Sequence, residues 1–218
     1  MREEIIKFRC NICDGKNKTG LSKITRENQT CKKCGSTLRM RSIIQMLTKE
    51  LFGKSMAISD ISPPRHDIKG IGMSCWHEYA YRLSHKLGFI NTYYHKEPFL
   101  DITKIDSSME KSLDFIISTD VFEHIVPPVS IAFENVRKLL KPNGVFIFTV
   151  PFTHPGEKGV STLEHFPELY EYEIVNQDNK FILKNTTSDG RTQIFENLVF
   201  HGGDGSTLEM RVFTESSL

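Results

Sequence analysis

Two pairs of cysteines near the N-terminus constrain this chain more than any other feature of its sequence. Cys10 and Cys13 form one Cys-x-x-Cys pair, Cys31 and Cys34 form the second, and 17 residues separate the pairs. Two intervening residues let a tight turn direct both sulfurs at one ion, so this spacing is typical of a four-thiolate zinc site. A redox dithiol and a chance pattern are the alternatives. Because closed four-thiolate sites are generally structural, we predict a zinc ion that stabilises the fold without catalytic work.

The overall charge excludes a general attraction to polyanions. The 218 residues have a formal net charge of +1, so no global field draws the chain to nucleic acid or to an anionic membrane. Met1 is followed by charged residues rather than an apolar signal segment, and no apolar run approaches the roughly 18 residues of a membrane span. We therefore expect a soluble, cytoplasmic protein in which the fifth cysteine, Cys75, is a small buried residue. A local basic face, or alternatively a solvated rim, is formed by Lys32, Lys33, Arg39, Arg41 and Lys49.

Hydrophobic periodicity predicts one helix after the cysteines and then an alternation of strands and helices. The first helix has Ser36 or Thr37 as its N-cap and ends at Gly53. Strands are predicted over residues 55–61, 89–94, 100–102, 113–118 and 145–150, and helices over residues 74–87 and 129–140. This alternation favours an α/β fold with a Rossmann-like, doubly wound and mostly parallel sheet. Ligands of such sheets bind at the carboxyl ends of the strands.

The alternation stops after residue 151, and three segments then have the pattern of an antiparallel β-meander. They cover residues 170–175, 181–187 and 192–200, with turn residues between them. We predict a zinc-ribbon-like module over residues 1–45, a Rossmann-like core over residues 46–155, and a meander that acts as a substrate lid over residues 156–218. Three histidines of this region are active-site residues or structural groups: His154, His165 and His201.

Two motifs of the predicted sheet resemble class I S-adenosylmethionine-dependent methyltransferases, in particular those like methyltransferase type 11. Residues 113–125 look like the family's buried fourth strand with the Glu-His pair that follows it. Residues 140–145, Leu-Lys-Pro-Asn-Gly-Val, resemble its turn into the fifth strand. The similarity covers roughly residues 54–152 and implies a methyltransferase that uses S-adenosylmethionine. Residues 208–214 resemble the segment before the family's last helix, so we expect a chain that is truncated after Leu218 or that completes its sheet with the meander.

The resemblance also implies a set of cofactor-binding residues. Glu97 would accept hydrogen bonds from the ribose hydroxyls, Asp101 would accept one from the adenine amine, and Ile102 would pack on the adenine ring. The family's Gly-x-Gly loop is replaced by residues 60–64, Asp-Ile-Ser-Pro-Pro, and Gly72 is expected to take over the close backbone approach. Turn or cap roles are the alternative for the aspartates. The predicted set is Asp60, Ser62, Gly72, Glu97, Asp101, Ile102, Ser118 and Thr119.

His124 is the predicted catalytic residue, because the resemblance implies that it points into the substrate pocket and imidazole takes up a proton near neutral pH. The near-neutral charge and the small lid favour a small molecule or a sugar or glycan as the methyl acceptor. One alternative is an enzyme that modifies RNA or DNA and binds it through the zinc module. Another is a binding module that has lost the cofactor, since a fold alone does not establish an activity.

Overall fold

The structure is a computed structural model that describes residues 3–153, 162–178 and 180–218. His154 lies outside the described residues. The chain forms two compact units, each built from two segments. The first unit comprises Met1–Thr119 and Asn135–Phe148, and the second comprises Asp120–Glu134 and Thr149–Leu218. None of the described helices has the length and apolar character needed to cross a membrane.

The first unit begins with a small antiparallel hairpin of β1 (Ile5–Arg9) and β2 (Lys16–Gly20). Helix α1 (Leu38–Phe52) follows, and its predicted caps are confirmed. The Thr37 side chain accepts a hydrogen bond from the Met40 amide, and Gly53 ends the helix with a φ of 72° that a side chain disfavours. The predicted end of the zinc module, residue 45, falls within this helix. The buried face of α1 shares one continuous core with Cys10, Cys13, Cys31 and Cys75 and with the sheet.

The central sheet has four strands, and helices α2 (His77–Ser84) and α3 (Ser130–Leu139) occur between them in the chain. The sheet order is β4-β3-β5-β6, and β3 pairs in parallel with both of its neighbours. The predicted Rossmann-like α/β class is therefore confirmed. Because β4 lies on one side of β3 and β5 on the other, the topological switch point lies between β3 and β5. The strands are β3 (Arg65–Met73), β4 (Leu87–Thr92), β5 (Leu113–Thr119) and β6 (Leu140–Thr149).

Two predicted strands are wrong. Residues 55–61 contain a 3₁₀ turn, Ile58–Asp60, and the first strand of the sheet begins later, at Arg65. Ile58 and Ile61 are both buried at a spacing of three, which is the period of a helical turn rather than of a pleated strand. Residues 100–102 also form no strand, because a turn begins at Asp101. Just before them, an isolated β-bridge joins Tyr93 to Phe99.

The second unit contains the predicted meander, which is confirmed as an antiparallel sheet of order β11-β10-β9. Strand β14 (Arg211–Thr214) lies between two short strands, in parallel with one and antiparallel to the other. A 3₁₀ turn, Phe122–His124, is held to this unit where the Met210 amide donates to the Glu123 carbonyl. The remaining strands are β7 (Phe152–Thr153), β8 (Leu163–Glu164), β9 (Glu171–Gln177), β10 (Lys180–Thr186), β11 (Thr192–Phe195), β12 (Phe200–His201) and β13 (Thr207–Leu208).

Candidate functional site

The four N-terminal cysteines converge on one point. All four sulfur atoms lie within 4.8 Å of one another, with Sγ–Sγ distances of 3.8 Å for Cys10 and Cys34 and 3.5 Å for Cys13 and Cys31. A tetrahedral zinc ion bonded at about 2.3 Å to each sulfur would space the sulfurs about 3.8 Å apart. The cluster therefore fits a zinc ion in spacing and in donor chemistry, since thiolates are soft ligands.

Hydrogen bonds around Cys31 favour the thiolate form that a metal requires, whereas burial raises the pKa of Cys13 and Cys34. Asn17 Nδ2 donates to Cys31 Sγ at 3.4 Å, and Ser36 Oγ lies 3.3 Å from Cys10 Sγ. Burial opposes the ionisation of Cys31, but the amides of Cys34 and Lys33 outweigh it and lower its pKa to about 6.

The carboxyl edge of the central sheet is built around Met73, which pairs with Thr92 on one side and with Ser118 on the other. Ser118 and Thr119 thus lie next to the switch point. The Ser118 hydroxyl is fully buried and has no hydrogen-bond partner among the described residues. Buried hydroxyls normally find a partner, so this one points to a ligand group at the edge.

Gly72 lies in β3 itself, and protein atoms fill the space that its missing side chain leaves. A Cβ there would lie 2.6 Å from Cys75 Sγ, 2.7 Å from the Phe89 ring and 2.9 Å from Asn91 Oδ1. The glycine is needed for packing behind the loop that follows β3. The prediction that its close approach serves the cofactor directly therefore has no geometric support.

Asn91, near the end of β4, ties down the loop after β3 and was missed by the sequence analysis. Its Oδ1 accepts a hydrogen bond from the Cys75 amide at 2.9 Å, and its Nδ2 donates to the Cys75 carbonyl at 3.0 Å and to the Tyr93 hydroxyl at 3.0 Å. A single asparagine in a strand gives no sequence signal of this role. Cys75 itself is buried, as predicted, and burial raises its pKa to about 12.

Two predicted cofactor residues, Asp60 and Ser62, do not reach the carboxyl edge, whereas a third, Glu97, follows the carboxyl end of β4. Asp60 and Ser62 come before β3 and hence lie at its amino end, because the strand begins only at Arg65. Both carboxylate oxygens of Asp60 accept hydrogen bonds from Arg9, and this contact lowers the pKa of Asp60. Glu97 is exposed and accepts a hydrogen bond from the Phe99 amide at 3.0 Å.

Asp101 and Ile102 lie in the connection between β4 and β5. Asp101 Oδ1 accepts hydrogen bonds from the amide and the hydroxyl of Thr103, at 2.9 Å and 2.7 Å. Among the described residues, Asp101 Oδ2 receives no hydrogen bond, so one oxygen holds the turn while the other is available. Ile102 is buried, and its carbonyl accepts a hydrogen bond from Asn135 at 2.9 Å.

In the second unit, His124 belongs to a connected set of polar side chains. Its Nδ1 lies 2.8 Å from the Leu208 carbonyl, so Nδ1 carries the proton and Nε2 has the free electron pair. His124 Nε2 lies 3.1 Å from His201 Nδ1, and His201 Nε2 lies 3.1 Å from Glu209 Oε2. Glu209 Oε1 in turn lies 3.1 Å from His165 Nε2. Burial lowers the pKa of His124, which keeps the ring neutral at pH 7.

Glu123 completes this set. It is fully buried, with Oε1 3.9 Å from His124 Nε2 and 3.7 Å from His201 Nδ1. Neither of its oxygens has a hydrogen-bond partner among the described residues. Burial, with a contribution from the charge of Asp120, raises its pKa to about 7. Neither Glu123 nor Glu209 was predicted as a site residue, and Glu209 lies 85 positions beyond His124 without a local signal.

The comparisons with known proteins identify the family. A family model described as a methyltransferase domain matches residues 42–181, which is more than half of the chain. The chain belongs to this methyltransferase family. The matched residues of this methyltransferase include the whole central sheet and His124 and begin after the four cysteines. Membership supports S-adenosylmethionine-dependent methyl transfer, and the chain is an enzyme of that class.

Two solved structures are similar to this methyltransferase. One is an S-adenosylmethionine dependent methyltransferase from Mesorhizobium loti, with 13% identity and a TM-score of 0.38 over 74% of each chain. The other is the PH0226 protein from Pyrococcus horikoshii OT3, with 14% identity and a TM-score of 0.36 over 87% of this chain and 96% of that one. The comparison with curated proteins gives no match.

Proposed function

We propose that this methyltransferase methylates a hydroxyl group of a small molecule or a sugar, and that His124 takes the proton of that hydroxyl. Bound S-adenosylmethionine supplies an already activated methyl group, so the protein must mainly orient the acceptor and exclude water. A hydroxyl acceptor additionally needs a base. The observation that carries the proposal is the hydrogen bond from His124 Nδ1 to the Leu208 carbonyl, which leaves Nε2 as the basic nitrogen.

The first unit supports a cofactor site at the carboxyl edge of β3 and β5. In this proposal Asp101 Oδ2 accepts the adenine amine, and Ser118 and Thr119 serve the methionine end. The unpartnered Ser118 hydroxyl is the observation that fits a polar ligand there. Glu97 remains the proposed ribose ligand, whereas Asp60 and Ser62 are left out because they lie at the opposite end of β3.

Calorimetric titration of the zinc-loaded protein with S-adenosylmethionine tests the cofactor site. We expect micromolar binding and a loss of roughly tenfold in Asp101→Asn, because the amide keeps the turn at Thr103 but removes a charged acceptor. Asp106→Asn is the matched control, since Asp106 caps a similar turn through the Ser108 amide and is exposed. Absence of binding to the wild-type protein at millimolar ligand would overturn the cofactor site.

The role of His124 has its own test. His124→Gln should bind S-adenosylmethionine with unchanged affinity and lose about 100-fold or more in methyl transfer to a hydroxyl acceptor, because only the base is removed. The acceptor screen should cover sugars and small alcohols. Full activity of His124→Gln on the best acceptor would contradict the proposed base.

A nucleic acid is a second candidate acceptor, and the hairpin of the zinc module favours it. The register of β1 and β2 places Lys7 opposite Lys18 and Arg9 opposite Lys16. Like charges directly across a strand pair destabilise it, so such pairs suggest a surface kept for an anionic ligand. A groove of about 620 Å³ is lined by Lys7, Phe8, Arg9, Lys16, Asn17, Lys18 and Lys32.

The charge of the chain is unevenly distributed. Residues 1–45 hold 11 Lys and Arg against 4 Asp and Glu, a balance of +7, whereas the other residues hold 17 against 23, a balance of −6. A zinc ion with four thiolates adds about −2, which leaves the module strongly basic. A phosphate backbone suits such a surface.

Fluorescence anisotropy with a labelled oligonucleotide at several salt concentrations tests this second candidate. Binding through phosphates should weaken steeply with salt, and the double variant Lys7→Glu/Lys18→Glu should lower the affinity by about tenfold or more. Lys184→Glu on β10 is the matched control, since Lys184 is equally exposed. Lack of binding at low salt would exclude a nucleic-acid acceptor.

A further inference from the structure

We propose that Glu123, His124 and His201 bind a divalent transition-metal ion within the second unit. The three donor atoms are Glu123 Oε1, His124 Nε2 and His201 Nδ1, and they form a triangle with sides of 3.9, 3.7 and 3.1 Å. The centre of such a triangle is about 2.1 Å from every corner, which is the usual length of a zinc bond to imidazole nitrogen or carboxylate oxygen. The spacing of the three donor atoms therefore fits one ion at the centre of the triangle.

The burial of the Glu123 carboxylate, without hydrogen-bond partners, is a second and independent observation that supports the metal site. Its carboxylate is completely buried, and neither oxygen has a hydrogen-bond partner among the described residues. A buried carboxylate without a partner is strongly unfavourable unless it takes up a proton or a positive charge compensates it. The buried guanidinium of Arg211 attracts Glu123 but is paired with Glu164, and the rings of His124 and His201 present nitrogen atoms to Glu123. A metal ion at the centre of the triangle would supply the compensating charge.

The ring nitrogens of His124 and His201 that do not face the proposed ion make the hydrogen bonds that metal-ligating histidines usually make. His124 uses its Nδ1 proton for the Leu208 carbonyl, and His201 uses Nε2 for the carboxylate of Glu209. With both protons engaged there, two nitrogen lone pairs face each other at 3.1 Å, so a cation or an additional proton must lie between them. Glu209 is itself held by His165. An imidazole whose second nitrogen donates to a carbonyl or carboxylate is the usual arrangement in metal sites.

The donor set indicates the class of ion. Two imidazoles with one carboxylate suit manganese, iron, cobalt or zinc, whereas magnesium and calcium prefer oxygen ligands alone. Three protein donors also leave coordination positions open. An open position would bind the oxygen of the acceptor and make its hydroxyl more acidic. In the metal-bound enzyme this activation would replace the proton acceptance proposed for His124, while the hydroxyl acceptor stays the same. This consequence rests on the proposed hydroxyl acceptor, while the metal site itself does not.

Cobalt(II) titration of the zinc-loaded protein, followed by visible absorption and calorimetry, tests the site. We expect one cobalt ion per chain beyond the zinc, with weak d–d bands and without the intense charge-transfer absorption of a thiolate ligand. That spectrum separates the new site from the cysteine cluster. Glu123→Gln and His201→Gln should each weaken cobalt binding by more than about 100-fold, and Glu209→Gln by about 10- to 100-fold.

Two controls distinguish a loss of cobalt binding from a loss of folded structure. His77→Gln should leave cobalt binding unchanged, because His77 is exposed and its contacts are with its chain neighbours Trp76 and Glu78. Glu123→Gln should unfold at the same temperature as the metal-free wild type or higher, since it removes a buried charge. Lack of cobalt binding beyond the zinc in the wild type, or unchanged cobalt affinity in Glu123→Gln, would overturn the inference.

The same samples, titrated with S-adenosylmethionine, separate the two proposals. Cofactor binding without cobalt binding would leave the proposed function intact and reject the metal site. Cobalt binding without cofactor binding would do the reverse.

Discussion

Arg9 donates two hydrogen bonds to Asp60, from Nη1 to Oδ2 at 2.9 Å and from Nη2 to Oδ1 at 2.8 Å. This ion pair joins strand β1 of the cysteine hairpin to the turn that precedes the central sheet. The carboxylate that sequence analysis assigned to the cofactor is therefore committed to the zinc module. The guanidinium also lowers the pKa of Asp60, so the pair is charged throughout the physiological range.

Asp60→Asn should change the affinity for S-adenosylmethionine by less than about twofold, because an exposed ion pair contributes little and Asp60 is at the amino end of β3. Hydrogen exchange should become faster in β1, where Arg9 loses its charged contact with Asp60 and keeps the one with Asp14. Calorimetry and exchange measured by mass spectrometry check the two effects. A tenfold loss of cofactor affinity with unchanged exchange would restore Asp60 to the cofactor site.

Loss of zinc should loosen α1 as well as the hairpin, because Cys10, Cys13 and Cys31 pack in the same core as Ile43 and Ile44. Cys34→Ser should reduce the zinc content from one ion per chain to nearly none, since a structural site needs all four ligands. Metal analysis and hydrogen exchange over residues 3–52 provide the readouts. Cys75→Ser is the control and should retain its zinc, as this thiol lies outside the cluster.

Gly72→Ala should lower the free energy of unfolding by about 1–3 kcal/mol, because the added methyl group would overlap Cys75 and Phe89. Urea denaturation measures the change. Gly20→Ala is the matched substitution, since its new Cβ would meet only the end of the flexible Glu3 side chain. Equal stability of the two variants would show that the loop after β3 has room that the structure does not display.

Asp114 should make stability depend on pH in the acid range. Burial opposes its ionisation, but hydrogen bonds from Lys141 Nζ and the Lys69 amide lower its pKa below the ordinary value of 3.8. Because the folded value is the lower one, this contribution is complete above about pH 4 and disappears as the pH falls through the folded value. Asp114→Asn should therefore flatten the pH profile of unfolding there. An unchanged profile would place the acid sensitivity elsewhere.

The elements that the sequence predicted well are those with strong local signals. Strand β5 is a dense apolar run, and α1 has a capping threonine and a terminating glycine. Strand β3 was misplaced because its first half is charged and exposed and its second half contains two glycines, which are poor strand formers. Those glycines are explained only by distant residues. A Cβ at Gly70 would lie 2.4 Å from the Phe115 ring, which no local pattern reveals.

For the candidate sites too, the sequence reveals local motifs but not contacts between distant residues. The cysteine cluster was predictable because each pair is a local motif with a fixed spacing. His124 was marked by its place after β5, but its partners Glu209 and His201 come from strands and turns that no periodicity connects to it. Their assembly depends on tertiary packing of the second unit.

That assembly has a consequence for the order in which the protein matures. His124 and His201 are 77 positions apart in the chain, and the segment Asn135–Phe148 between them belongs to the other unit. Contacts of such high sequence separation form late, because a long loop must close before they contribute any energy. During synthesis on a ribosome, the sheet strands β3, β4 and β5 are complete long before Glu209 emerges. A nascent chain would therefore acquire its histidine pair last, and its reactive chemistry would begin only once the C-terminal strands have folded.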